Sequence, residues 1–391
     1  MELNCITDET LNIRVKKTEK YWVHTNQGKL LETLAGNTAY IFGYNNEYIL
    51  NKMYEIQKEI GYLNFKHNEV CDYNNELINF LCHKGDWGGI SYAVSGTDGV
   101  ECALAISHQY WKLINPNKSK IVSFTPGYHG ATYFCRMLRG EEDPANKVYV
   151  IDAPSWETIE DRLPHETQAL NDLRIILENK KDIGSVIFES IPWYKGIRPW
   201  SDSWWKEIRK LCDQHKVLLI LDDVMGCVGK IGPYFSYDRY KIKPDVVALG
   251  KSFTGGYSPL SCACASKNIT EVIQKDWLYG HTWQPNMAGV GAALAVKDIF
   301  IETEIYKIES RITDLKSKLL DQKLIKSESG IGLIHCLKLS QPINADHFVK
   351  NGLTGGPAMK DNISMCLPYI ADDEYFFELE NRLINCLTTN Y

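Results

Sequence analysis

Four corners of the sequence combine residue types that could do chemistry. The apolar run Val217-Leu218-Leu219-Ile220-Leu221 leads straight into Asp222-Asp223, so a carboxylate stands where a buried strand should end. A single aspartate there could simply cap a turn. The run Asp245-Val246-Val247-Ala248-Leu249 leads into Gly250-Lys251-Ser252-Phe253-Thr254-Gly255-Gly256. An isolated lysine is usually a solvated surface group. Small residues on both sides of Lys251 instead mark a place of close backbone approach, and a buried lysine loses its proton readily enough to become a Schiff-base nucleophile. The third corner, Ser95-Gly96-Thr97-Asp98-Gly99, precedes the helical stretch Glu101-Cys102-Ala103-Leu104-Ala105-Ile106. Glycines and hydroxyls at a helix start make an anion site, although the same residues also form an ordinary cap. The fourth corner, Phe124-Thr125-Pro126-Gly127-Tyr128-His129-Gly130, offers an aromatic face and an imidazole just past a strand. His129 reads as a packing or hydrogen-bonding group beside the site in preference to a catalytic one.

An amine, a carboxylate, an anion cradle and an aromatic plate are the parts that a pyridoxal 5'-phosphate site requires. The cofactor needs a lysine to bond to, an acid that keeps its pyridine nitrogen protonated, and an anchor for its phosphate. No single corner carries this reading; the combination does.

The elements that must position these corners follow from the hydrophobic pattern. Between about Gly88 and Ser266, short apolar runs alternate with amphipathic stretches, the sign of strands separated by helices in a mostly parallel sheet. The runs are Ile90–Val94, Lys120–Phe124, Val148–Ile151, Ser185–Phe188, Val217–Leu221 and Asp245–Leu249. In such sheets ligands bind beyond the carboxyl ends of the strands, which is where the four corners fall. Residues 47–60 place Ile49, Met53, Ile56 and Ile60 on one helical face, and residues 303–320 do the same with Ile305, Ile308, Ile312, Leu315 and Leu319. The chain then reads as helix and short strands, ending in Met365-Cys366-Leu367-Pro368-Tyr369-Ile370 and a last helix. The expected architecture is α/β: a large, mostly parallel-sheet domain over 45–300, and a small α+β domain assembled from 1–44 and 301–391.

Length and composition agree with that plan. A chain of 391 residues accommodates two or three units. Its 43 basic and 49 acidic residues leave a formal charge of −6, with no footprint for nucleic acid or an anionic membrane, so a small-molecule partner is expected. The first residues lack the apolar core of a secretory signal, and no apolar run approaches the ~18 residues of a membrane helix. The twelve cysteines contain no Cys-x-x-Cys pair, which argues against a zinc site or other metal and fits reduced thiols in the cytoplasm. The run Lys16-Lys17-Thr18-Glu19-Lys20 reads as a solvated face.

Over roughly residues 20–380 the order and spacing of these segments resemble the class III aminotransferases, which are fold type I pyridoxal phosphate enzymes. The matching stretches are Ser95-Gly96-Thr97-Asp98-Gly99-Val100-Glu101, Gly127-Tyr128-His129-Gly130, Val186-Ile187-Phe188-Glu189, Leu219-Ile220-Leu221-Asp222-Asp223-Val224, Gly229-Lys230-Ile231-Gly232, Lys243-Pro244-Asp245-Val246, Leu249-Gly250-Lys251, and Thr282 four residues before Asn286. The resemblance implies that Lys251 is the Schiff-base lysine and Asp222 the partner of the pyridinium nitrogen. It implies that Gly96 and Thr97 bind the phosphate, and that Tyr128 and Val224 cover the two ring faces. Glu189 matches a glutamate near the cofactor. Thr282 matches a threonine that reaches the phosphate of the neighbouring subunit, which implies a homodimer. The implied activity moves an amino group from an amine or amino acid donor to a carbonyl acceptor, by way of a Lys251 aldimine and pyridoxamine phosphate. An aminomutase, racemase or decarboxylase would use the same residues, and a non-catalytic or regulatory protein on this fold is the alternative of another class.

Within the family, Leu249–Gly256 with Leu260-Ser261, Gln109-Tyr110-Trp111, Gly43-Tyr44-Asn45 and Leu367-Pro368-Tyr369-Ile370 are similar to the 7,8-diaminopelargonic acid aminotransferase branch, which takes its amino group from S-adenosylmethionine. The departures concentrate where substrate should sit. The arginine that commonly pairs with a substrate carboxylate has its equivalent at Gly355-Gly356-Pro357, and no arginine lies between Arg311 and Arg382. The branch's paired tryptophans fall at about Asn37-Thr38. Asp223 replaces a glutamate, Lys230 an arginine, and Ser190 and Met287 replace prolines. Lysine for arginine loses planar bidentate pairing, so that loop should be held differently. Trp193, Tyr194 and Trp283 are pocket-wall candidates, and His281 reads as a loop histidine. A substrate other than the biotin precursor is expected.

Overall fold

The computed structural model describes residues 13–64, 69–154, 159–193, 196–277, 279–280, 282–355 and 361–389. Tyr194, His281 and Gly356-Pro357, singled out above, lie outside the described residues. The chain divides into two compact units, Met1–Glu47 with Thr303–Tyr391, and Tyr48–Glu302. In chain order the strands are β1 (Val15–Glu19), β2 (Trp22–Thr25), β3 (Gly28–Glu32), β4 (Gly89–Ala93), β5 (Lys120–Thr125), β6 (Val148–Asp152) and β7 (Ile183–Glu189). They continue with β8 (Leu218–Asp222), β9 (Val246–Leu249), β10 (Ser261–Ala265), β11 (Ile325–Ile331), β12 (Ile334–Leu339), β13 (Leu353–Thr354) and β14 (Asn362–Cys366).

The larger unit holds a seven-stranded sheet in the order β4-β10-β9-β8-β7-β5-β6. The pairs from β9 to β6 are parallel, whereas β10 runs antiparallel to both of its neighbours. Strands β8, β9 and β10 are buried at every position, as expected for central strands covered on both faces. All six apolar runs read from the sequence are strands here. The seventh, Ser261-Cys262-Ala263-Cys264-Ala265, escaped that reading because its small residues carry little of the β-branched and aromatic signal that marks a strand. Small side chains suit its place, since the helix Gly96–Ile114 packs over β9 and β10 and buries Val100, Ala103, Leu104 and Ile106 against them.

One charged group sets the register at the amino ends of β8 and β9. Arg209 donates from Nη1 to Asp245 Oδ2 at 2.8 Å, and the same oxygen accepts the Leu219 amide at 2.7 Å. Asp222 is thereby held opposite Ala248, two residues short of Gly250.

In the smaller unit β1, β2 and β3 form an antiparallel ribbon, with β13 added parallel to β3, and β11-β12-β14 form a second, antiparallel sheet. The stretch aligned with the missing tryptophans is a left-handed turn, with φ of 54° at Gly36, 59° at Asn37 and 67° at Thr38. Helix Glu302–Asp321 buries Ile305, Ile308, Ile312, Leu315 and Leu319, the face its periodicity predicts. In the helix Glu47–Glu59 of the larger unit only Ile49 and Ile56 are fully buried, and Ile60 falls beyond its end.

Lys316 is buried on the same helix face, where its ammonium meets Glu328 and donates to His335 Nδ1 at 3.3 Å. The other ring nitrogen donates to Gly332 O at 2.8 Å, so His335 is the neutral Nε2–H tautomer. Burial, with the Lys316 charge beside it, pushes this imidazole from 6.5 down to about 3. The unfolded chain therefore takes up a proton that the folded one refuses, and the contribution present above pH 6.5 is lost as pH falls towards 3. This group alone contributes a slope of about 1.4 kcal/mol per pH unit, and the difference in stability between His335→Gln and the unaltered protein should change by that amount in urea titrations between those limits.

Candidate active site

The carboxyl ends of β5, β7, β8 and β9 and the amino end of the helix Gly96–Ile114 meet on one edge of the large sheet. Glu189 ends β7 directly opposite Asp222, which ends β8. Asp222 is buried, and its Oδ2 lies 2.8 Å from Nδ1 of the equally buried His129. Its other oxygen accepts the Val224 amide at 3.2 Å, which bends the chain out of the strand and brings the Val224 side chain back over the site.

Gly96 and Gly250 approach Val224 closely. A Cβ at Gly96 would stand 2.7 Å from Val224 Cγ1; one at Gly250 would lie 3.1 Å from Gly96 Cα and 3.2 Å from Val224 Cγ1. Any side chain at Gly96 would therefore displace Val224. The helix cap uses the later amides of the first turn: Ser95 Oγ accepts Asp98 N at 3.2 Å and Ser95 O accepts Gly99 N at 2.8 Å. That leaves the amides of Gly96 and Thr97 at the positive end of a 19-residue helix, the arrangement that binds phosphate. Thr97 Oγ1 accepts Ala131 N at 3.3 Å, so its own hydrogen remains to be donated.

Lys251 follows Gly250 with φ of 48°, a left-handed conformation that costs a non-glycine residue on the order of 1–3 kcal/mol and concentrates at functional sites. Its Nζ lies 3.8 Å from Met225 Sδ, next to Val224. Tyr128 is 42% exposed, with its ring open to a planar ligand, and the Arg139 guanidinium lies 5.5 Å from its centre. The Tyr128 amide donates to Glu189 Oε1 at 2.9 Å, and the Trp193 amide donates to the same carboxylate.

The structure thus brings Gly96, Thr97, Tyr128, Glu189, Asp222, Val224 and Lys251 to one place, with Trp193 at its border. Thr282 stands apart, exposed in the loop before the helix Met287–Ile299, and Trp283 beside it is 69% exposed. Sequence reasoning left His129 without a definite partner. Its bond to Asp222 spans 93 positions, and only the alternation of strands could have suggested that the two corners meet. The donor set fits pyridoxal 5'-phosphate: a carboxylate for the ring nitrogen, an amine, helix-start amides for the phosphate, and Tyr128 and Val224 for the ring faces.

A family model for class-III aminotransferases matches residues 6–387. The chain belongs to this family. It is accordingly a pyridoxal 5'-phosphate-dependent aminotransferase, which transfers an amino group between an amine or amino acid and a carbonyl compound. The adenosylmethionine-8-amino-7-oxononanoate aminotransferase of Staphylococcus aureus is 27% identical over 85% of this chain and 78% of its own length. The (R)-1-hydroxy-2-aminoethylphosphonate ammonia-lyase of Vibrio splendidus is 26% identical over 85% and 73%. A PLP-bound amine transaminase from an uncultivated Pseudomonas species superposes with a TM-score of 0.89 over 99% of this chain and 97% of its own, at 18% identity, which shows the shared fold.

Two titrating groups in this class-III site push stability the same way. Burial raises the Glu189 carboxyl from 4.5 to about 7; Asp222 adds to this, while His129 and the two amides oppose it. For His129, burial alone would lower the imidazole, but the hydrogen bond and charge of Asp222 outweigh it and raise the group above 6.5. The folded protein therefore holds a proton on Glu189 that the unfolded chain releases, so stability present below pH 4.5 is lost as pH rises to about 7. The His129 contribution is complete below pH 6.5 and is lost as pH rises through its raised value. In urea titrations of the cofactor-free protein, Glu189→Gln should lose less stability than the unaltered protein as pH rises from 4.5 to about 7. An unchanged slope in that variant would contradict the assignment.

Proposed function

We propose that Lys251 is the covalent and proton-transferring residue of this aminotransferase and that Asp222 holds the cofactor's ring nitrogen. The observation that carries the reading is the convergence of Lys251, Asp222 and the Gly96-Thr97 helix start on one sheet edge. When bound there, pyridoxal 5'-phosphate supplies an electron sink for the pair released as the donor's Cα loses its proton. Lys251 would hold the cofactor through its Nζ, and the same amine, once released, would serve as general base for the donor's Cα proton. Asp222, kept in place by His129, presents its charge to the protonated ring nitrogen. Gly96, Thr97 and the helix start take the phosphate. Tyr128 and Val224 would cover the two faces of the ring, and Glu189 fixes Tyr128 through its amide. We assign the cofactor-binding domain to residues 45–300, since all these residues fall within it.

We further propose a homodimer in which Thr282 donates to the phosphate bound by the other subunit. Its exposure and its separation from the other site residues support this. Eleven described cysteines are all free thiols, which supports a reducing, cytoplasmic setting. No helix among the described residues is long and apolar enough to cross a membrane.

For the substrate, we propose a molecule gripped without an arginine clamp and different from the biotin precursor. The absence of arginine between Arg311 and Arg382, and Asn37-Thr38 in place of paired tryptophans, support this. Purified protein mixed with pyridoxal phosphate should show the visible band of a lysine-bound cofactor, and Lys251→Ala should abolish it and slow amino transfer by about 10²–10⁴-fold. Asp222→Asn should keep the band and slow the reaction by about 10²-fold. Primary amines, amino acids and S-adenosylmethionine, added singly, should differ in their power to convert the cofactor to its amine form. Release of free ammonia with no amine form from every donor would count against the proposal.

A further inference from the structure

Lys230, which stands where the family pattern has arginine, is fully buried at 0% exposure. Its ammonium donates to Ser252 Oγ at 2.8 Å and to Val224 O at 3.3 Å. The first acceptor belongs to the residue that follows Lys251, and the second is the carbonyl of the residue that covers one face of the site. Lys230 therefore joins the two loops that carry Lys251 and Val224, from below the site and out of reach of any ligand in it.

Asp223, also fully buried, feels that ammonium: its Oδ2 accepts the Ser236 amide at 3.0 Å, and the Lys230 charge opposes the burial that pushes its carboxyl up to about 7. Cys227 ties the same loops a second time, its thiol donating to Gly250 O at 3.3 Å. These contacts surround the residue whose backbone most needs support, because Lys251 holds its left-handed φ of 48° only while its neighbours are fixed.

We propose that Lys230 is a positioning residue for amino transfer, whose ammonium ties Ser252 to Val224 and so aims the Lys251 amine and the Val224 side chain at the cofactor. The inference rests on the assignment of Lys251 made above. Ser252 Oγ and Val224 O lie on different loops, so a cation that donates to both holds the loops together.

The test compares Lys230→Met, Lys230→Arg and Ser252→Ala with the unaltered protein, each loaded with pyridoxal phosphate. The readouts are the pH titration of the lysine-bound cofactor's visible band and the single-turnover rate with a saturating amine donor. Lys230→Met should keep the band, move its titration midpoint by about one pH unit, and slow the single turnover by about 100-fold, the scale of an ångström misplacement, with donor affinity changed less than about threefold. Lys230→Arg should restore charge and most of the rate. Ser252→Ala should move both readouts in the same direction by a smaller amount, about tenfold in rate.

A Lys230→Met protein with the original rate and midpoint overturns the proposal. So does a slowed variant whose midpoint is unmoved and which arginine does not rescue, because that is the mark of a structural lesion alone. Should Lys230→Met not fold, Ser252→Ala decides by the same two readouts. A Lys251→Ala control that retains the visible band would refute the site assignment itself, independently of any result at Lys230.

Discussion

Taking a carboxylate out of water costs several kcal/mol, and Asp222 bears that cost at the end of β8 because His129 stands 2.8 Å from it and the Val224 amide 3.2 Å away. Much of the site follows from this buried group. The bond to Val224 turns the chain at the strand end and places an isopropyl group against Gly96, where no side chain fits, and close to Gly250. The bond to His129 draws in the segment that also carries Tyr128, and Tyr128 in turn engages Glu189 on the adjacent strand. A parallel sheet allows this because neighbouring strands end on the same edge, so residues far apart in sequence arrive together. Removing either partner of the buried pair would leave the other uncompensated, at a cost of about 3–5 kcal/mol.

Much of this was legible in the sequence, for identifiable reasons. Central strands covered on both faces are written as continuous apolar runs, so β7, β8 and β9 were readable together with the polar corners that terminate them. Glycine beside lysine signalled close backbone approach, and the structure shows it as the contact between Gly250, Gly96 and Val224. Strand β10 was not legible, since serine, cysteine and alanine carry no period. Long-range polar pairs were not legible either. The bond between His129 and Asp222, and the tie from Lys230 to Ser252, depend on which strands are neighbours, and that order is not written in local spacing. In the sequence Lys230 is only a departure from a pattern; its burial and its acceptors are visible in the structure alone.

The departures from the family pattern divide into two kinds. Asp223, Lys230 and Ser190 lie beneath the site, buried among the loops that carry Lys251 and Val224, where they alter how the machinery is braced. The missing arginine and tryptophans are the departures on which the proposal about the substrate rests. Relatives at about the same similarity differ in chemistry, since aminotransferases of adenosylmethionine and of gamma-aminobutyrate stand beside an ammonia-lyase, at 27%, 25% and 26% identity. Overall similarity therefore does not select the substrate.

The central claim is that one lysine, Lys251, carries the cofactor, and peptide mapping tests it most directly. The protein loaded with pyridoxal phosphate is reduced with borohydride, digested, and its modified peptide sequenced. The account predicts a single stoichiometric pyridoxyl group on Lys251, within Leu249-Gly250-Lys251-Ser252-Phe253. A group on another lysine such as Lys230, or no stoichiometric modification, would contradict it.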